Sequence, residues 1–164
     1  MISVIERMSG EENMNIVLGA GSYYYDAVLQ TLEEDGFEPA ENIRILEYID
    51  DMASYLKSAD LVVSRSGALS VAETGVCGTP AIFIPSPNVT GNHQYYNALA
   101  VAEGGGAEVI EEKDMESERL IGEILRLKAD PAGLAVMAEK SAEFGPRDAT
   151  RIICDRILED YMHD

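Results

Sequence analysis

Ser64-Arg-Ser-Gly-Ala-Leu-Ser70, running on into Val71-Ala-Glu73, joins a β-branched apolar run to a helical one. A glycine among small residues lets backbone amides approach an anion. The helix that follows points free N–H groups and a positive dipole end at the same place. A diphosphate could sit there without a metal. Glu73 falls in the first turn of the expected helix, where a carboxylate accepts hydrogen bonds from a vicinal diol such as a ribose. The same Ser70-Val-Ala-Glu73 also reads as an S-x-x-E capping box, a purely structural device. The loop is neither G-x-G-x-x-G nor a Walker sequence, so it points to phosphate and not to one nucleotide.

A second polar stretch is Pro85-Ser-Pro-Asn-Val-Thr-Gly-Asn92, followed by His93, Gln94, Tyr95, Tyr96 and Asn97. Imidazole and amide groups at a helix start can pair with sugar hydroxyls; an ordinary polar loop and cap is the plainer reading. A third, Glu47-Tyr-Ile-Asp-Asp-Met52, could shape a base pocket with backbone polar groups and the Ile49 and Met52 side chains, or could simply be a helix start capped by Asp50 or Asp51. Gly19-Ala-Gly21-Ser22 is a weak phosphate-loop candidate and reads better as a turn. In the Tyr23-Tyr24-Tyr25 run, Tyr25 is expected in the core.

Other chemistries find no support. His93 and His163 are the two histidines, and no Ser-His-Asp or Cys-His arrangement is evident. No two aspartates are separated by one residue, so there is no D-x-D clip for a metal-bound diphosphate, and no zinc spacing occurs. With 30 acidic and 12 basic residues the net charge is −18, which argues against nucleic acid and anionic lipid as partners. Cys77 and Cys154 both fall in helical segments and read as buried, inert thiols of a reducing compartment. Residues 1–13 lack an apolar signal region, and no run approaches a membrane span, so a cytoplasmic location is expected.

The elements that must position these loops alternate. Helical 2–9 precedes a strand at Asn15–Gly19. Tyr25, Val28, Leu29 and Leu32 mark one helix face, stopped at Asp35-Gly36. Ile43–Leu46 is a strand, Met52–Ala59 a short helix and Asp60–Ser64 the clearest strand. Ser70–Cys77 is a helix ended by Gly78-Thr-Pro80, and Ala81–Ile84 a buried strand. His93–Glu103 is helical up to Gly104-Gly-Gly106, and Ala107–Ile110 is the last strand. Helices at Ser117–Lys128, Pro131–Glu143 and Pro146–Met162 complete the chain, with Pro131 and Pro146 at first-turn positions. This order predicts an α/β fold with a doubly wound parallel sheet covered by helices on both faces, in one domain over 1–164. The start is unusual for that fold, because a helix comes first where a strand and ligand-binding turn are expected.

Taken together, Tyr48-Ile-Asp-Asp-Met52, Ala59 to Glu73, Gly78 to Pro85, Asn92-His-Gln94 and Asn97-Ala-Leu99 resemble the C-terminal, donor-binding domain of the MurG family. These enzymes transfer N-acetylglucosamine to lipid I in peptidoglycan synthesis. The match is strong over about 43–114. The resemblance implies a GT-B glycosyltransferase, two Rossmann-like domains with UDP-N-acetylglucosamine in the cleft. Ile49 would meet uracil through its backbone, with Met52 nearby. Ser66, Gly67, Ala68, Leu69 and Ser70 would line the diphosphate, and Glu73 would hold the ribose hydroxyls. Gln94 and Asn97 would face the sugar, with His93 where the family varies between His and Gln. It further implies an inverting transfer to a lipid-linked muramyl-pentapeptide, with no metal or other cofactor and the family enzyme peripheral on the inner membrane face.

Two departures from the family pattern shape the expectation. Its N-terminal domain, which supplies the acceptor site and the expected catalytic base, is not in this sequence, so no catalytic residue is assigned here. The donor domain's first strand and its glycine-rich loop are also not in it. A fragment with a break between the segments 15–19 and 60–64, a rearranged sheet or pairing between copies is therefore expected. The competing readings are the donor-binding subunit of a split two-chain transferase, a relative of the UDP-N-acetylglucosamine 2-epimerases, and a non-catalytic UDP-sugar-binding module.

Overall fold

A computed structural model describes residues 2–145 and 148–162. The expected helix start at Pro146, and His163, lie outside them. The described chain forms two compact units, one within Met1–Met52 and Asp114–Asp130, the other within Ala53–Lys113 and Pro131–Asp164.

The first unit holds α1 (Ile2–Met8), β1 (Ile16–Gly19), α2 (Tyr25–Glu34), β2 (Ile43–Leu46) and α6 (Ser117–Lys128). β1 and β2 run parallel, with Ile16 opposite Ile43 and Gly19 opposite Leu46. Val4, Ile5 and Met8 recur at helical spacing and are buried, as are Leu120, Ile121 and Leu127 of α6, so two apolar stripes face one core. Polar ties hold the α1 end. Asn42 accepts from the Gly10 N–H at 2.8 Å and donates to the Met8 carbonyl at 3.3 Å, and Lys128 bonds Glu11 and the Glu12 carbonyl. The expected α2 face is thinly covered: Leu32 is buried, but Tyr25 is only half-buried and Leu29 is exposed, so Tyr25 is not the core residue expected. A two-stranded sheet gives a helix little apolar surface to cover.

The second unit carries β3 (Val62–Ser64), α4 (Ala68–Cys77), β4 (Ala81–Phe83), α5 (His93–Glu103), β5 (Ala107–Val109), α7 (Pro131–Ala142) and α8 (Ala149–Met162); α3 (Met52–Ser58) begins on its border. Its parallel sheet has the order β3-β4-β5. Central β4 is buried throughout, whereas β3, an edge of this sheet, is half-buried and shorter than its sequence suggests. Helices α5 and α6 match the expected limits residue for residue. Among the described residues no ladder joins β1 or β2 to β3.

Small residues let backbones meet in this unit. A Cβ on Gly145 would lie 2.4 Å from the Gly75 carbonyl carbon, and one on Gly106 would lie 2.7 Å from Ser141 Cα. Buried hydroxyls complete the lock: Ser141 Oγ donates to the Thr79 carbonyl at 2.9 Å and Thr79 Oγ1 to the Leu56 carbonyl at 2.7 Å. The cysteines are free; Cys77 is half-buried and Cys154 exposed on α8, so the expectation of two buried thiols fails. From Thr150 to Tyr161 every residue of α8 is exposed, leaving Cys154 nothing to pack on.

Because a methyl at Gly145 meets backbone rather than a movable side chain, Gly145→Ala is expected to cost about 1–3 kcal/mol of stability, the range of an overpacked core. Gly122→Ala, exposed in α6 with open space around it, should instead gain about 0.5–1 kcal/mol from helix propensity. Denaturant unfolding of both variants measures this; a Gly145→Ala variant as stable as the parent would show that the backbones are not in contact.

Candidate functional site

The β3–α4 connection is where sequence and structure meet. Helix α4 starts at Ala68, two residues earlier than expected, with Gly67 as its N-cap in extended backbone (φ −61°, ψ 154°) and no side-chain cap. The first backbone bond of the helix is Val71 N–H to the Gly67 carbonyl, at 3.0 Å. The Ala68, Leu69 and Ser70 N–H groups therefore have no carbonyl behind them and project from the helix start. Three outward amides at the positive end of a ten-residue helix form an anion cradle. Gly67 keeps it open, for the nearest atom to a Cβ there would be Ser70 Oγ, at 4.0 Å.

This start removes the capping-box reading. Ser70 is the third residue of α4 rather than its cap, and Glu73 lies in the second turn, not the first. Glu73 is exposed, three residues on from Ser70 and so on the same helix face, one turn above the cradle. Thr74, next to it, turns inward and back-bonds the Ser70 and Val71 carbonyls at 2.9 and 3.0 Å.

Ser66 does not offer its hydroxyl to a ligand. It is fully buried, and Oγ donates to the Gln94 carbonyl at 2.8 Å. The Ser66 carbonyl in turn accepts from Asn97 Nδ2 at 3.1 Å, and Gln94 Oε1 accepts from the Ser86 N–H at 2.9 Å. The loops after β3 and β4 and the first turns of α5 are thus one hydrogen-bonded cluster. Its half-buried amides Gln94 and Asn97 keep one end each unspent: among the described residues no acceptor reaches Gln94 Nε2 and no donor reaches Asn97 Oδ1. His93 is exposed, with Nδ1 2.8 Å from the Thr90 carbonyl. A carbonyl can only accept, so Nδ1 bears a proton, and in the neutral ring Nε2 is an acceptor. Gly91 (φ 64°) and Asn92 (φ 53°) turn the chain into α5 in left-handed conformation.

Arg65, the cation next to the cradle in sequence, is committed elsewhere. Its guanidinium donates to the Ile84 carbonyl at 3.1 Å and pairs with Glu112 at 2.6 Å. An open cleft of about 290 Å³, lined by Pro85, Tyr95 and Glu111 among others, contains none of the predicted site residues. Leu69 stands exposed on the first turn of α4.

Ile49 and Met52 belong to the other compact unit. Ile49 turns its side chain toward Gly19, where an added Cβ would meet Ile49 Cδ1 at 3.1 Å. Ile49 lies outside any strand or helix, just ahead of the turn at Asp50-Asp51 that leads into α3. Met52 is partly exposed at the start of α3. Of Gly19 to Ser22, Gly19 ends β1 and Gly21 (φ 76°) leads into a turn at Ser22–Tyr24, its carbonyl accepting from both the Tyr24 and Tyr25 N–H. The residue that sequence reasoning missed is Ser86. It acts through its backbone N–H, a group that every residue but proline has, so no residue type could announce it.

A family model described as the glycosyltransferase family 28 C-terminal domain matches residues 2–152. A UDP-N-acetylglucosamine–N-acetylmuramyl-(pentapeptide) pyrophosphoryl-undecaprenol N-acetylglucosamine transferase of Leuconostoc citreum is 40% identical over 149 residues, 91% of this chain and 40% of that protein. The same enzyme of Caldicellulosiruptor saccharolyticus is 35% identical over 99% of this chain and 43% of its own length. This chain thus spans about two fifths of the curated relatives it matches. The crystal structure of Acinetobacter baumannii MurG superposes with a TM-score of 0.79 at 30% identity, over 96% of this chain and 44% of that one. A putative UDP-N-acetylglucosamine 2-epimerase of Listeria monocytogenes shares the fold, with a TM-score of 0.74 at 19% identity over 100% of this chain and 41% of its own.

The Asn97–Ser66 bond tests the cluster directly. Asn97→Asp places a carboxylate oxygen against the Ser66 carbonyl, and is expected to cost about 1–3 kcal/mol at neutral pH, the cost of an unmade buried hydrogen bond. Chemical denaturation measures it, and a variant as stable as the parent would mean that the amide does not bond that carbonyl.

Proposed function

This chain belongs to the glycosyltransferase family 28 C-terminal domain family, and from that premise we propose that it binds UDP-N-acetylglucosamine as the donor-side half of a hexosyltransferase. The acceptor is a lipid-linked N-acetylmuramyl-pentapeptide, as in the names of its relatives. The observation that carries the reading is the α4 start. Gly67 and the free Ala68, Leu69 and Ser70 amides make an anion cradle, Glu73 stands one turn above it, and the Gln94 and Asn97 amides are tied to the same loop.

Each group has a task. The cradle holds the diphosphate, with the backbone of Ser66 at its edge. Glu73 accepts from the ribose hydroxyls. Gln94 and Asn97 orient the sugar, with His93 Nε2 as a further acceptor. For Ile49 and Met52, in the other compact unit, the role is the one that the family resemblance implies: uracil against the Ile49 backbone, with Met52 nearby. The acceptor hydroxyl attacks the anomeric carbon with inversion, the glycosidic bond to the diphosphate breaks, and UDP leaves with its new charge against the cradle. Fixed dipoles stabilise that charge, so the transfer needs no metal and no cofactor besides the donor. The general base is not among the residues assigned here. The proposed place of action is the cytoplasmic face of a membrane; among the described residues no helix is long and apolar enough to cross one.

Calorimetric titration with UDP-N-acetylglucosamine, with UDP-glucose as control, tests the proposal. Saturable binding is expected, with Glu73→Ala weakening it by about 1–3 kcal/mol, the scale of a hydrogen bond to a charged group. A folded chain that binds no UDP-sugar, or whose Glu73→Ala variant binds equally well, would sink it.

A further inference from the structure

We infer that Ser66 is a positioning residue that couples the anion cradle to sugar recognition: its carbonyl sets which end of the Asn97 amide is free, and its hydroxyl holds the first turn of α5, which carries Gln94 and Asn97. The inference rests on the donor-site reading above and adds to it.

A free asparagine or glutamine can present either its oxygen or its nitrogen to a ligand. Here both choices are made by second groups. Asn97 spends Nδ2 on the Ser66 carbonyl, so Oδ1, an acceptor, is the atom left. Gln94 spends Oε1 on the Ser86 N–H, so Nε2, a donor, is left. The pair therefore fits a ligand that donates to one amide and accepts from the other, as a sugar with a free hydroxyl beside a second oxygen does.

Ser66 holds this arrangement at two points. It immediately precedes the N-cap Gly67, so its carbonyl lies at the root of the cradle. Its fully buried hydroxyl bonds the Gln94 carbonyl in the first turn of α5. One residue thus spaces three phosphate-facing amides from two sugar-facing side chains. Without the hydroxyl the cradle remains, since it is built from α4 itself, but the first turn of α5 loses its tie and the Gln94 carbonyl its donor. The contribution of the sugar to binding should fall relative to that of the diphosphate.

The test compares two ligands on each variant of the whole chain: UDP, which lacks the sugar, and UDP-N-acetylglucosamine. Ser141→Ala is the control, because it removes an equally buried hydroxyl bonded to a carbonyl elsewhere in the same unit. Titration should show the ratio of UDP-N-acetylglucosamine to UDP affinity falling about tenfold in Ser66→Ala, the scale of one lost hydrogen bond. Ser141→Ala lowers the melting temperature and leaves the ratio unchanged. Ser66→Cys, with a weak thiol donor, should fall between and serves should the alanine variant not fold. A Ser66→Ala protein with the parental ratio overturns the inference, as does an equal shift in Ser141→Ala. A parent chain that binds neither ligand sinks the donor reading and the inference together, and is told apart from the specific failure because the parent itself is then silent.

Discussion

A helix that begins at Gly67 leaves three backbone amides without carbonyl partners, and much of the second unit follows from that start. Had a serine capped α4, its side chain would occupy the amides that an anion needs. A glycine cap satisfies none of them and lets the backbone be approached. The cost is a poorly anchored helix start, and the surrounding structure meets it. Ser66 is buried against α5, Thr74 bonds back within α4, and the end of α4 is clamped where Gly75 meets Gly145. An open, reactive helix terminus is held from both sides by neutral contacts.

The clamp explains the choice of small residues further along. At Gly75, Gly106 and Gly145 side-chain atoms would meet backbone, so close approach, not turn geometry, selects glycine. The hydroxyls of Thr79 and Ser141 bond carbonyls that those approaches bury. Packing without side chains leaves few rotamers to adjust, which suits a unit whose site depends on backbone groups staying in place.

Elements with their own local instructions are legible in the sequence. Asn92 before His93 and the glycine triplet after Glu103 bound α5, and Pro131 marks the start of α7. The start of α4 is not legible in the same way, because Ser70-Val-Ala-Glu73 carries a capping signal that competes with Gly67. Tertiary context chooses the glycine, since Ser66 and Asn97 anchor the chain just ahead of it. Tyr25 departs from expectation because helical spacing tells which residues share a face, not how much surface waits to receive them. Among the site residues, those acting through side chains, Glu73, Gln94 and Asn97, are identifiable by type. The inward turn of Ser66 and the role of the Ser86 N–H are not, because both depend on where a loop from a different strand arrives.

A net charge of −18 is an unusual setting for the proposed diphosphate site. Two considerations reconcile them. At physiological ionic strength charges separated by more than about 8 Å are largely screened, so the distant carboxylates count for little at the cradle. Close in, the groups proposed to face the diphosphate and the sugar are neutral dipoles, three amides at a helix end, Gln94 Nε2 and the free end of Asn97, with the Glu73 carboxylate one turn away assigned to the ribose. Arg65, the cation at hand, is paired with Glu112 and bonded to the Ile84 carbonyl, so it lends little net charge to the loop. Recognition by dipoles rather than by cations discriminates through geometry, since a dipole displaced by an ångström loses much of its interaction whereas a charge does not. In the proposed site, the residues that hold those dipoles in place, Ser66 above all, would therefore matter more than they would in a site built from lysines.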